Sequence, residues 1–198
     1  MNFLAHIYLS GNDDSLKIGN FIADSIRGNK YLNYPEEIQK GIILHRHIDT
    51  FTDSHPIVKI SKKRLYKNYS HYSSVIVDIY YDHFLAKNWS DYSTEPLESY
   101  VNQFYELLKH EFDMLPTPVK KMYPHMVNDN WLNSYATIEG ITKVLEGMNH
   151  RTKNKSKMNL AVNELQEFYL DFEKEFTDFF KELMLFVEQE LKNKHFKL

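Results

Sequence analysis

No cysteine occurs in the 198-residue chain. Thiolate nucleophiles, zinc–thiolate sites and disulfides are thereby excluded, and the composition suits a reducing compartment. Glycine and proline are sparse, with six of each, and no turn-bounded alternating run marks a sheet. No window reaches the roughly 20 consecutive apolar residues that a bilayer crossing needs. The opening Met1-Asn2-Phe3-Leu4-Ala5-His6 has no basic region, and its apolar stretch is cut by His6, so it does not read as a secretory signal. The chain is expected in the cytoplasm, with no membrane partner. An excess of positive charge is missing too. The formal net charge is −3 and the pI about 6.4, which argues against nucleic acid as a general partner.

What is present is aromatic and apolar. Apolar residues make up 42% of the chain and aromatic ones 15%, with 14 Tyr and 13 Phe. That is enough to bury a core, and the length fits one domain over residues 1–198. Periodicity is helical almost throughout, so the expected fold is an all-α helical bundle. Asp13-Asp14-Ser15 supplies a cap for a helix running to about Arg27, stopped at Gly28-Asn29. Pro35-Glu36-Glu37 opens a second helix, which ends near Asp53. Further helices are expected over Ile57–Tyr69, Ser74–Trp89, Thr94–Phe112 and Thr137–Met148, and Pro116 and Pro118 mark a turn before a short helix that runs to about Met126. The polar, basic stretch His150–Met158 reads as a mobile loop. From Leu160 an aromatic stripe through Phe168, Phe172, Phe176, Phe179, Leu183, Val187 and Leu191 predicts one long amphipathic helix packed into the core.

Two blocks carry chemistry. His45-Arg46-His47-Ile48-Asp49 places an imidazole and a carboxylate one helical turn apart, with Asp53 a further turn on. Asp78-Ile79-Tyr80-Tyr81-Asp82-His83 repeats the spacing with two acids and adds an adjacent histidine. Asp24 and His6 sit in largely apolar surroundings. A carboxylate in such a place needs a cation, a hydrogen-bond network or a raised pKa. The candidate metal ligands are therefore Asp24, His45, Asp49, Asp78, Asp82, His83 and His6. Oxygen and imidazole donors without thiolate favour Mn²⁺, then Mg²⁺ or Fe²⁺, with zinc also compatible. Such an ion would activate water and stabilise charge on a phosphoryl group. Arg27, Arg46 and Arg151 are candidate phosphate-binding side chains, and Arg46 lies inside the first block. His47 faces away from His45, and His71, His110, His125 and His195 read as surface or hinge histidines.

Partner choice is suggested by a second pattern. No acid falls between Asp53 and Asp78, whereas Lys59, Lys62, Lys63, Arg64 and Lys67 cluster within nine residues. On a helix, residues 59, 62, 63 and 67 share one face, a surface suited to an acidic protein or a polyanion.

Read together, these stretches resemble the acyl carrier protein phosphodiesterases. The matching segments are Met1–His6, Gly19-Asn20-Phe21-Ile22-Ala23-Asp24 with Arg27-Gly28, Gly41–Asp49 with Thr52-Asp53, and Asp82-His83-Phe84-Leu85-Ala86-Lys87-Asn88-Trp89. Leu145-Glu146-Gly147-Met148 with Arg151 matches more loosely. The resemblance implies an all-helical fold distantly related to the HD-domain metal phosphohydrolases, although no adjacent His-Asp pair in that order occurs here. It also implies Mn²⁺- or Mg²⁺-supported hydrolysis of holo-acyl carrier protein to apo-acyl carrier protein and 4′-phosphopantetheine. Asp24, His45, Asp49, Asp82 and His83 match the family's acidic and histidine positions, with Arg46 counted among the catalytic candidates. A carboxylate such as Asp49 or Asp24 would accept the proton of the attacking water. Two other readings of the residues stand beside it. One is an HD-type phosphohydrolase acting on a nucleotide or another small phosphoester; the other is a non-catalytic helical module that binds acidic proteins.

Overall fold

Helix α5 (Ser73–Lys87) is the centre of the molecule. Every residue from Ile79 to Ala86 is buried, so this helix is covered all round rather than along one stripe. The structure, a computed structural model, describes residues 1–193, and the expectation for His195 lies outside them. Among the described residues all regular structure is helical. In chain order α5 is preceded by α1 (Phe3–Leu9), α2 (Asp14–Ile22), α3 (Glu36–Ser54) and α4 (Pro56–Tyr69). It is followed by α6 (Leu97–His110), α7 (Thr117–Asn128), α8 (Trp131–Ser134), α9 (Ile138–Arg151), α10 (Val162–Glu167) and α11 (Tyr169–Lys192). One continuous core runs through them, and no helix of the described residues is long and apolar enough to cross a membrane.

Local signals account for most of these boundaries. The Asp13 carboxylate accepts from Leu16 N at 2.9 Å and starts α2. Glu36 and Glu37 occupy the first turn of α3 behind Pro35. Pro56 opens α4, and Thr137 caps α9 by accepting from Gly140 N. The aromatic stripe of α11 is core, as expected. Phe172 meets Tyr80, Phe176 meets Tyr81 and Phe84, and Phe179 and Phe186 pack on Phe51 of α3. Each such ring contributes roughly 1.5–3 kcal/mol by leaving water.

Three expectations are corrected, and one helix is added. The N-terminal apolar segment is itself a helix, α1, whose free N–H groups are capped from elsewhere in the chain. The helix expected to reach Arg27 stops at Ile22, and short 3₁₀ turns over Ala23–Ser25 and Gly28–Asn33 follow. The stretch His150–Met158 is a pinned turn, in which Ser156 is buried and Asn149, Thr152 and Ser156 hydrogen-bond one another. The C-terminal helix is interrupted at Phe168, between α10 and α11, and Leu191 near its end is 39% exposed.

The approach of α2 to α3 sets up the site. A Cβ on Gly19 would lie 2.2 Å from Ile38 O, and one on Gly41 2.5 Å from Leu16 O. The two backbones therefore touch directly, which only glycine at both positions permits. Asn20 follows Gly19 directly on α2, and His45 lies about one turn beyond Gly41 on α3.

Candidate metal centre

Three donor atoms converge between α1 and α3. One ligand atom each from His6, His45 and Asp49 lies within 4.8 Å of the other two. Both histidines are buried, and the Asp49 side chain is 40% exposed, giving the cluster one open side. His6 Nε2 lies 3.3 Å from Asp49 Oδ1, and His45 Nε2 lies 3.1 Å from Asp49 Oδ2. The two imidazoles stack with centroids 4.0 Å apart. Asp24, on the 3₁₀ turn after α2, reaches His45 Nε2 at 3.2 Å from the solvent side.

The other ring nitrogens fix the proton positions. His45 Nδ1 is 2.9 Å from the main-chain carbonyl oxygen of Asn20, so it must donate. His6 Nδ1 is 2.7 Å from Asn20 Oδ1. The amide orientation is set independently, because Asn20 Nδ2 donates to His6 O at 2.8 Å and Ser10 Oγ at 3.0 Å. Neutral His6 and His45 thus present Nε2 lone pairs to carboxylate oxygens, and His6 Nε2 also faces Met1 O at 3.2 Å. Acceptors facing acceptors are stable only around a cation, either a proton or a metal ion. The donor set fits an ion such as Mn²⁺, Fe²⁺ or Zn²⁺.

The titration tendencies follow from this geometry. Burial opposes charge on His45, but the Asp24 and Asp49 carboxylates outweigh it and push the imidazole up to about 9. Burial and the neighbouring His45 charge hold His6 down at about 4. Burial works to raise Asp49, yet its hydrogen bond with His45 and the nearby N-terminal ammonium keep the carboxyl well below the usual range. The hydrogen bond from His45 lowers Asp24. One proton on His45 therefore balances the cluster in the absence of an ion.

The second block behaves differently. Asp82 is fully buried and accepts from Leu4 N at 2.7 Å and Ala5 N at 3.2 Å, capping α1. Burial pushes its carboxyl up to about 7 against those two donors. His83 is also fully engaged, with Nδ1 donating to Tyr135 O at 2.7 Å and Nε2 accepting from Tyr169 Oη at 2.8 Å. Neither Asp82 nor His83 is among the three donors that converge, and their polar atoms already have complementary partners. Asp78 is intermediate. Its Oδ1 lies 3.1 Å from the Met1 nitrogen, which lies 3.7 Å from Asp49 Oδ1.

The arginines are mostly occupied. Arg46 donates to Gly28 O at 2.8 Å and stacks on Tyr31, so it braces the turn after Asp24 rather than facing the cluster. Arg151 ends α9 against Met148 Sδ. Arg27 is exposed, three residues beyond Asp24. His47 pairs with Glu190, and Asp53 pairs with Lys62 at 2.7 Å, which removes both from the cluster. His71, His110 and His125 are exposed, as expected.

The basic stripe is partly redrawn. Arg64 forms a two-point ion pair with Glu175 of α11 and lies over Phe172, so it is a strut between helices. Lys59, Lys63 and Lys67 remain exposed and, with Lys62, line a shallow hollow around Tyr66. Ile60 and Tyr66 add exposed apolar surface at 55% and 63%.

Sequence reasoning missed the Met1 carbonyl and the hydrogen-bonding part taken by Asn20. A signal for the second was present: an amide side chain amid the apolar residues Ile18, Phe21 and Ile22 of a helix.

The chain has relatives along nearly all of its length. Residues 1–183 match the family described as acyl carrier protein phosphodiesterase. A protein of that name from Photorhabdus laumondii subsp. laumondii is 32% identical over 186 residues, 93% of each chain. One from Enterobacter sp. (strain 638) is 31% identical over 186 residues, 93% of this chain and 96% of its own. One from Yersinia pestis is 30% identical over 185 residues, with the same shares. No solved structure matches the chain.

Proposed function

The chain belongs to the acyl carrier protein phosphodiesterase family, and on that premise we propose that it hydrolyses the phosphodiester of holo-acyl carrier protein with the help of a divalent ion, Mn²⁺ foremost. Water adds to phosphorus, the bond from phosphorus to the carrier serine oxygen breaks, and apo-carrier and 4′-phosphopantetheine leave. The observation that carries the reading is the convergence of the His6 and His45 lone pairs on Asp49.

These three side chains would hold the ion, with the Met1 carbonyl beside them. Bound there, a divalent ion supplies positive charge to the phosphoryl oxygens and makes water more acidic. Asp24 is exposed and lies 3.2 Å from His45 Nε2, and it would take the proton of the attacking water. Arg27 is exposed and free to turn toward a phosphate oxygen. The carrier would dock on the α4 face formed by Lys59, Lys63, Lys67 and Tyr66, where basic charge meets its acidic surface.

Mass spectrometry of holo-acyl carrier protein incubated with the enzyme and Mn²⁺ tests the proposal. The carrier is expected to lose the mass of its phosphopantetheine group, and chelation is expected to stop the loss. An unchanged carrier mass with Mn²⁺, Mg²⁺ and Fe²⁺ alike overturns the reading.

A further inference from the structure

Asn20 touches both imidazoles of the cluster through two different oxygens. Its side-chain Oδ1 receives His6 Nδ1–H, and its main-chain oxygen receives His45 Nδ1–H. It is completely buried, and every polar atom of its amide is engaged. The orientation of that amide is not adjustable. A flip would place Nδ2 against His6 Nδ1, and Oδ1 against His6 O and the Ser10 oxygen, which itself donates to His6 O at 2.9 Å.

The two histidines depend on Asn20 in unequal ways. Without an acceptor at Nδ1, the His6 proton would move to Nε2, where Met1 O and Asp49 Oδ1 lie at 3.2 and 3.3 Å. That move would make a good hydrogen bond and block the nitrogen that faces the cluster. Asn20 Oδ1 opposes the move. His45 is held by a backbone carbonyl, which side-chain substitution does not remove.

We propose that Asn20 is a positioning residue for the metal centre: its side-chain carbonyl holds His6 in the Nδ1–H tautomer and keeps the Nε2 lone pair aimed at the ion. The proposal rests on the reading that the cluster binds a divalent cation, but not on what the protein hydrolyses.

The test combines Asn20→Ala with the parent protein. In the metal-free parent at pH 7, ¹⁵N NMR of the imidazoles is expected to show His6 with its proton on Nδ1. In Asn20→Ala the His6 proton is expected on Nε2. With Zn²⁺ as a diamagnetic probe, His45 is expected to keep its Nδ1–H in both proteins. Mn²⁺ affinity, read by electron paramagnetic resonance, should fall about 10–100-fold, the range for an outer-shell partner of a ligating histidine. A His6 tautomer or Mn²⁺ affinity unaltered by the substitution overturns the proposal. Should Asn20→Ala fail to fold, the parent spectrum decides alone, because His6 found with its proton on Nε2 overturns it as well. A protein that binds Mn²⁺ through this cluster yet leaves holo-acyl carrier protein intact defeats the proposed reaction and leaves this inference standing.

Discussion

The His45–Asp49 block and the Asp82–His83 block look alike as sequence, yet the fold puts them to opposite uses. Around Asp49, two imidazole Nε2 atoms face one carboxylate, and a proton on His45 balances them in the absence of an ion. Around Asp82, donors face acceptors: two backbone N–H groups satisfy the carboxylate, and a carbonyl and a phenol satisfy His83. Both blocks carry buried polar groups beside an apolar core. What separates a ligand from a brace is whether its hydrogen-bond partners already balance it.

Substitutions that attack one block at a time break the comparison most sharply. Asp49→Ala is expected to lower Mn²⁺ affinity by more than about 100-fold, beyond the range for outer partners, while His83→Ala leaves it unchanged; titration calorimetry separates the two. Equal losses from both would place His83 in the site. Asp82→Ala should instead act on stability, at about 1–3 kcal/mol for each buried N–H left unpaired. Denaturant unfolding measures this, and a variant as stable as the parent would remove the capping role.

Smaller effects sharpen the contrast. His45 titrates near 9 in the chelated protein against 6.5 when unfolded. The stability that its ion pairs confer is thus fully present below about pH 6.5 and is lost as pH rises through 9. Stability of the chelated protein should decline across that window by at most about 1.4 kcal/mol per pH unit, and His45→Gln should flatten the decline. A parent whose melting temperature does not fall between pH 7 and 9 would contradict the pairing. On the outer surface, Lys63→Glu with Lys67→Glu is expected to raise KM for holo-acyl carrier protein several-fold with kcat unchanged. Unaltered steady-state kinetics at low salt would remove α4 from docking.

Much of this was legible beforehand, for identifiable reasons. Caps and prolines placed the starts of α2, α3 and α4, and the Phe periodicity placed α11 in the core, because those signals are local. The α1 helix was not legible, since the cap for its N-terminus comes from Asp82, far along the chain. Spacing brought His45 and Asp49 together correctly because they share a helix face. It could not show that Asp82 and His83 lie apart from that cluster, because spacing reports which residues are neighbours and nothing about their other partners. Arg64 was read with the surface lysines for the same reason, and its partner Glu175 lies on a distant helix.

The glycine contact between α2 and α3 has a consequence for how such a protein varies. A Cβ at Gly19 or Gly41 would run into opposing backbone, which cannot swing aside as a side chain can. Separating the helices would draw the Asn20 carbonyl away from the His45 ring even though neither residue had changed. Counted as a target for random mutation, the site therefore extends to two residues that carry no chemistry. A descendant that retained each histidine and carboxylate could still lose function through one added methyl group.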